Sequence, residues 1–117
     1  MSKYHNAKYK YNGIIFDSKA EMRRYLELLP LLRTGIISDL QRQVKFELVP
    51  SQKLPEPRKR LGRMERTERA VNYIADFVYR KGEKLIVEDV KGVATKDYII
   101  KRKLMLWVHG IQITEMK

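Results

Sequence analysis

An α/β fold, a mixed sheet flanked by helices in the order αβββαβ behind an N-terminal hairpin, follows from three observations. A Ser-x-x-Glu cap at residue 18 introduces a helical repeat, two β-rich runs flank Lys81-Gly82, and a second helix bounded by Thr95 and Gly110 precedes a last short strand. That second helix serves as the crossover to a parallel strand. With 117 residues and 44% hydrophobic content, the chain suits one domain, residues 1–117, around a single core.

The opening KYKYNGIIFD reads as a small hairpin, because Asn12-Gly13 suits a type I′ turn. Ser18 followed by Glu21 has the form of a capping box, and Met22, Tyr25, Leu26, Leu29 and Leu32 recur at helical spacing. A helix from about Ser18 to Arg33 follows, ended by Gly35 and kinked or split in its last turn by Pro30. Residues 37–49 read as a strand or a bent pair of strands. Composition then changes: residues 50–69 hold three of the four prolines and seven basic residues with few apolar ones to bury, which predicts a mobile basic loop. Thr95 caps a helix from about Lys96 to Val108, with Tyr98, Ile99, Leu104, Met105 and Val108 as its apolar positions. Gly110 stops it, and Ile111 to Thr114 make the final strand.

Residues 70–80 and 84–90, rich in Val, Ile, Tyr and Phe, form a hairpin about Lys81-Gly82. Pairing Arg80 with Glu83 sets Asp76 opposite Val87, and period-two alternation puts Val87, Asp89 and Lys91 on one face. Asp76 and Asp89 become diagonal neighbours roughly 7–8 Å apart at the backbone, near enough for both carboxylates to reach one divalent cation. Glu88 points the other way, as a solvated or paired charge. The bland alternatives are an edge aspartate at 76 and a salt-bridged strand end at Asp89 and Lys91; a charge between Ile74 and Val78 on its own face is unusual for the first. Gln43, on the first core strand, either reaches toward this pair or is a ladder residue.

Net charge is +11, with 25 Lys and Arg against 14 Asp and Glu and a pI near 10.0. Such an excess on a short chain points to a polyanionic partner, with nucleic acid ahead of a solvated basic surface. No helix joins a broad apolar face to a purely basic one, so membrane binding ranks low. No apolar run approaches the ~20 residues of a membrane span, and MSKYHNAKYKY lacks the apolar segment of a secretion signal, which predicts a soluble, cytoplasmic protein. The absence of cysteine removes disulfides and thiolate metal sites, and His5 and His109 offer little for zinc and read as incidental. A catalytic metal is then oxygen-ligated, which favours Mg²⁺ or Mn²⁺. The arm KYHNAKYKY interleaves rings with lysines, suited to stacking on bases or else a solvated terminus.

A carboxylate in the first helix, an aspartate in the second core strand and Asp-x-Lys ending the third together resemble the PD-(D/E)xK nuclease superfamily, with its restriction-endonuclease-like core. Within it, FDSKAEMRRYLEL, YIADFVY, VEDVKG and TKDYIIKRKLML are similar to a small group of phage-encoded proteins related to Holliday-junction resolvases. The resemblance implies Asp76 and Asp89 as metal ligands, Lys91 as the lysine that steadies the attacking water or the transition-state charge, and Glu21 as a further ligand, direct or through water. The capping box alone also accounts for Glu21. Ala75 stands where the superfamily's name has a proline. The implied activity is a metal-dependent DNA endonuclease acting on branched intermediates in a phage host's cytoplasm; the alternatives are a nuclease of linear or nicked duplex and a non-catalytic DNA-binding scaffold. Lys101 and Lys103 on the second helix, with Arg58, Lys59 and Arg60 in the basic loop, are the candidate phosphate contacts. Two symmetric incisions require a homodimer, for which Ile14, Ile15 and Trp107 are candidate interface residues unless Trp107 packs in the core.

Overall fold

A computed structural model describes residues 9–117. His5 and most of the lysine-aromatic arm therefore lie outside the described residues. The order of elements is β1 (Tyr9–Tyr11), β2 (Ile14–Phe16), α1 (Lys19–Arg33), β3 (Ser38–Val49), β4 (Gln52–Arg60), β5 (Arg63–Glu68), β6 (Val71–Lys81), β7 (Lys84–Val90), α2 (Lys96–His109) and β8 (Thr114–Met116). Strands β3, β6, β7 and β8 form one mixed sheet in that order, the first three antiparallel and β8 parallel to β7. Setting the two small hairpins aside, the core reads α1-β3-β6-β7-α2-β8, as expected. No described helix is long and apolar enough to cross a membrane.

Each helix covers one face of the sheet. Leu28 of α1 packs with Ile37, Phe77 and Tyr79, whereas Tyr98 and Met105 of α2 pack with Tyr73, Ala75, Val78 and Val87. The caps are those the sequence predicts: Ser18 Oγ accepts the Glu21 N–H at 3.0 Å, Thr95 Oγ accepts the Tyr98 N–H at 3.1 Å, and Gly110 closes α2 at φ +68°. Helix α1 runs on through Pro30 instead of splitting there. The Pro30 carbonyl still accepts the Thr34 N–H at 3.0 Å, and packing around Leu28, Leu31 and Leu32 holds the last turn. Trp107 is 86% exposed and so is not core packing. It lies two residues beyond the buried Met105, about 200° around the helix. The final strand begins at Thr114, later than expected, while Ile113 is buried against α2.

Two further expectations are corrected. Residues 50–69 hold a hairpin, β4 and β5, turning at Leu61-Gly62. Prolines argue against a strand because they lack the ladder N–H. Here Pro55 and Pro57 fall between the registered pairs Lys53↔Thr67 and Arg58↔Glu65, where β4 bulges and no such N–H is needed. The central hairpin pairs Lys81 with Lys84, so its turn is Gly82-Glu83 and not Lys81-Gly82. Gly82, at φ +64°, takes the first turn position, where only a positive φ matches the strand twist. Carried one residue past Phe77↔Glu88, this register sets Asp76 directly across from Asp89. A two-residue shift leaves the faces unchanged, so the two aspartates stay together.

Candidate active site

Four elements converge on the predicted carboxylates. Glu21 comes from the first turn of α1, Gln43 from the middle of β3, Asp76 from the middle of β6, and Asp89 with Lys91 from the end of β7. The Gln43 amide nitrogen donates to Glu21 Oε1 at 3.2 Å and to Asp76 Oδ1 at 3.4 Å, joining helix and strand. Asp76 Oδ2 accepts the Val90 N–H at 2.8 Å. The Tyr73 hydroxyl donates to Asp89 Oδ2 at 2.6 Å, and Lys91 Nζ lies 3.4 Å from Asp89 Oδ1 and 4.5 Å from the Tyr98 ring centroid. The Lys91 N–H is itself held by the Met116 carbonyl at 2.8 Å, which ties this lysine to β8. Glu21 does not spend its carboxylate on the helix cap: it turns instead to Gln43 and, at 3.5 Å, to Arg42.

An irregularity in the sheet creates this meeting point. Tyr73 and Tyr79 have the same parity on β6, yet Tyr73 reaches Asp89 and Tyr79 reaches Glu88, on opposite faces of β7. Ala75 and Phe77 likewise lie in different core clusters. The strand therefore changes face at Asp76. Opposite it on β3, between the pairs Arg42↔Phe77 and Val44↔Ala75, Gln43 adopts φ +53°. A left-handed glutamine inside a strand is strained, and such strain is held only where surroundings over-determine it. It releases the Gln43 side chain from the ladder toward the carboxylates.

Burial makes the cluster electrostatically unfavourable as it stands. Glu21 is 6% exposed and Asp89 3%. Burial first, and then the charge of Asp76, raise the Glu21 pKa to about 7, against a partial opposing effect of Arg42. Asp76 is also raised, chiefly by burial and further by Asp89, while the Val90 N–H and Lys91 pull it back. Burial and the bond to Asp89 push Tyr73 well above the usual phenol range, so it is a donor to that carboxylate at any physiological pH. Asp89 Oδ1 is buried with no hydrogen-bond donor; the Lys91 contact at 3.4 Å is an ion pair without hydrogen-bond geometry. An orphaned carboxylate oxygen beside Asp76, which Gln43 joins in turn to Glu21, has the chemistry of a hard-cation ligand set. Among the described residues, no three acidic, histidine or cysteine side chains already close into a cage. The residues fit an oxygen-ligated divalent ion, with water left to complete its shell.

Other predicted residues lie elsewhere. Glu88 does point away, but it is buried at 1% and accepts two bonds from Arg24, at 2.9 and 2.7 Å, plus the Tyr79 hydroxyl. Lys101 is paired with Asp97 at 3.5 Å, and Lys103 is exposed on α2. Arg58 is held by Glu65 and Glu68, at 3.0 and 3.1 Å, which makes it a clasp of the β4–β5 hairpin. His109 donates its Nε2–H to the Glu47 carbonyl at 2.7 Å and stands edge-on to Phe46, a structural role. Sequence reasoning missed Tyr73 and Arg42, because only the register and the fold of α1 over β3 bring them in.

Neither curated proteins nor solved structures match the chain. A model of one protein family, described as a protein of unknown function, DUF1064, matches residues 1–113. Because that match spans the whole site from Glu21 to Lys91, the constellation lies within the family's own region, and the chain belongs to the DUF1064 family.

Proposed function

We propose that this chain is a metal-dependent endonuclease of the PD-(D/E)xK type that hydrolyses DNA phosphodiester bonds. One observation carries the reading. Asp76 is linked to Glu21 through Gln43 and stands on β6 beside Asp89 of β7, which keeps a buried, unsatisfied oxygen beside Lys91. The core order α1-β3-β6-β7-α2-β8 supports the restriction-endonuclease-like assignment, and the +11 charge supports a phosphate-backbone partner.

Glu21, Asp76 and Asp89 would hold Mg²⁺ or Mn²⁺. Such an ion supplies a water made nucleophilic near neutral pH and a counter-charge for a phosphorane-like transition state. The chain's own groups do the positioning: Val90 N–H fixes Asp76, Tyr73 fixes Asp89, and Gln43 sets the spacing of Glu21 to Asp76. Lys91 presents a compact ammonium where negative charge grows on the phosphate oxygens. Branched DNA such as a four-way junction is the proposed substrate, cut by a two-fold homodimer because each chain has one site. Ile15 and Trp107, 53% and 86% exposed, supply apolar surface for that pairing.

The test uses sequence-matched four-way junctions, nicked duplexes and linear duplexes with the full chain. Cleavage is expected with Mg²⁺ or Mn²⁺, none with EDTA, and none from Asp76→Asn, which should bind DNA at least as tightly as the parent. Equal cutting with and without chelator sinks the metal mechanism. Binding without cutting in any metal leaves a DNA-binding scaffold.

A further inference from the structure

The chain contains the same tight turn twice, with different residues in it. In the β1–β2 hairpin, Asn12-Gly13 has φ +51° and +84°; in the β4–β5 hairpin, Leu61-Gly62 has φ +52° and +76°. Both have the two positive φ values of a type I′ turn, whose first position favours Asn, Asp or Gly. Asparagine tolerates this backbone, whereas leucine is disfavoured there by roughly 1–2 kcal/mol. Packing does not repay the strain, since Leu61 is 90% exposed, more than any other large apolar side chain described.

Its surroundings state what the tip faces. Every residue of β4 and β5 is exposed except Leu54 and Glu65, which are half-buried, so the hairpin stands out as a two-stranded arm. A concavity of about 940 Å³ follows β5 from the tip to the start of β6, lined by Arg60, Arg63, Arg66 and Arg69 together with Glu65 and Glu68; Arg60 and Arg63 pair across the ladder on one face of the arm, and period two puts Arg66 on the other. Unlike Arg58, none of these four has an ion-pair partner among the described residues. Uncompensated guanidiniums on both faces of an arm with a strained apolar tip suit a polyanion with an apolar interior reached through a groove. Duplex DNA has that form: its phosphates take arginine, its grooves admit a two-stranded ribbon, and apolar side chains wedge between its base steps.

We infer that the β4–β5 arm grips duplex DNA through the arginines on its two faces and drives Leu61 between base pairs, kinking the helix beside the site of cleavage. This deepens the nuclease reading by assigning the arm to substrate deformation, and it rests on that reading for its partner. At the rise of a β-strand, Leu61 lies at most about 34 Å of chain from Val71, and Asp76 about 16 Å beyond. Arm and site thus engage one duplex within roughly a turn and a half of helix.

The experiment uses a linear DNA duplex of about 30 base pairs, labelled at both ends for energy transfer, with the full chain in EDTA so that nothing is cut. Wild type should shorten the end-to-end distance. Leu61→Asn, which suits the turn, should keep or raise the melting temperature, restore the straight-duplex distance and weaken binding about tenfold. The pair Arg63→Gln and Arg66→Gln should lower the salt slope of binding by about 2. Leu61→Asn protein that binds and bends as wild type does overturns the wedge, as does wild type that binds without bending or fails to bind. The nuclease reading is scored separately in Mg²⁺: bending without cutting leaves the wedge standing and removes the chemistry, and cutting by an unbent complex does the reverse.

Discussion

Glu88 and Asp89 are consecutive, both buried, and on opposite faces of one strand, yet only one of them is satisfied. Glu88 receives a two-pronged Arg24 and the Tyr79 hydroxyl, so its charge is matched within the fold. The bond to Glu88 holds the Arg24 guanidinium even more firmly protonated than usual; burial first, and then Glu88, push Tyr79 up to about 12 against an opposing effect of Arg24. Asp89 receives only Tyr73 at full hydrogen-bond geometry and keeps a bare oxygen beside Lys91. Burying a charge requires compensation. Where the fold supplies all of it the group is structural, and where the fold withholds part the group is poised for a ligand.

Substituting each acid separates the two faces most strongly. Asp89→Asn should lower cleavage by at least about a thousandfold while leaving the fold cooperative, because the proposed metal ligand is lost and a buried charge removed. Glu88→Gln should do the opposite, costing about 1.5–3 kcal/mol in denaturant unfolding by leaving Arg24 only Glu27 as an ionic partner, with Mg²⁺ dependence of the residual activity unchanged. Equal stability losses at the two positions would erase the distinction.

The tyrosines provide a finer version. Tyr73→Phe should reduce cleavage roughly 10–100-fold by freeing the Asp89 rotamer, and Mg²⁺ titration should show weaker binding in proportion. Tyr79→Phe should cost about 1–2 kcal/mol of stability with metal affinity untouched. If Tyr73→Phe changed stability alone, Tyr73 would be a core residue and no more.

Smallest is the effect of pH on the metal-free protein. Glu21, raised from 4.5 to about 7, binds its proton more tightly folded than unfolded, so its contribution favours folding fully below pH 4.5 and is lost as pH rises through 7. Metal-free protein should therefore gain on the order of 2 kcal/mol as pH falls across that window, and Glu21→Gln should flatten the slope. Saturating Mg²⁺ should reverse it, since the ion binds deprotonated carboxylates. A slope unchanged by Glu21→Gln would show that the burden lies on another acid.

The local chemistry of the chain was legible to the residue. Ser18 and Thr95 start their helices because a hydroxyl there satisfies an otherwise unpaired N–H, and Asn12-Gly13 turns its hairpin because both residues tolerate positive φ. Period two was enough to set Asp76 with Asp89 and to send Glu88 away, even though the register itself was off by two. The basic stretch was legible in charge and not in shape. Its prolines forbid a regular ladder, and only a bulge that exempts them allows the arm.

Thus the sequence by itself determined the order of elements, the basic surface, the paired aspartates and the lysine after them, since caps, turn dipeptides and alternation are short-range. Tertiary structure alone decided the Gly82-Glu83 turn, the left-handed Gln43 that bends β6 at Asp76, and the lending of Tyr73 to Asp89 and Arg24 to Glu88. Each depends on groups from different elements competing for one buried charge. No local pattern carries that balance, because the desolvation that leaves one carboxylate fully paired and its neighbour with a bare oxygen exists only once the helices have closed over the sheet.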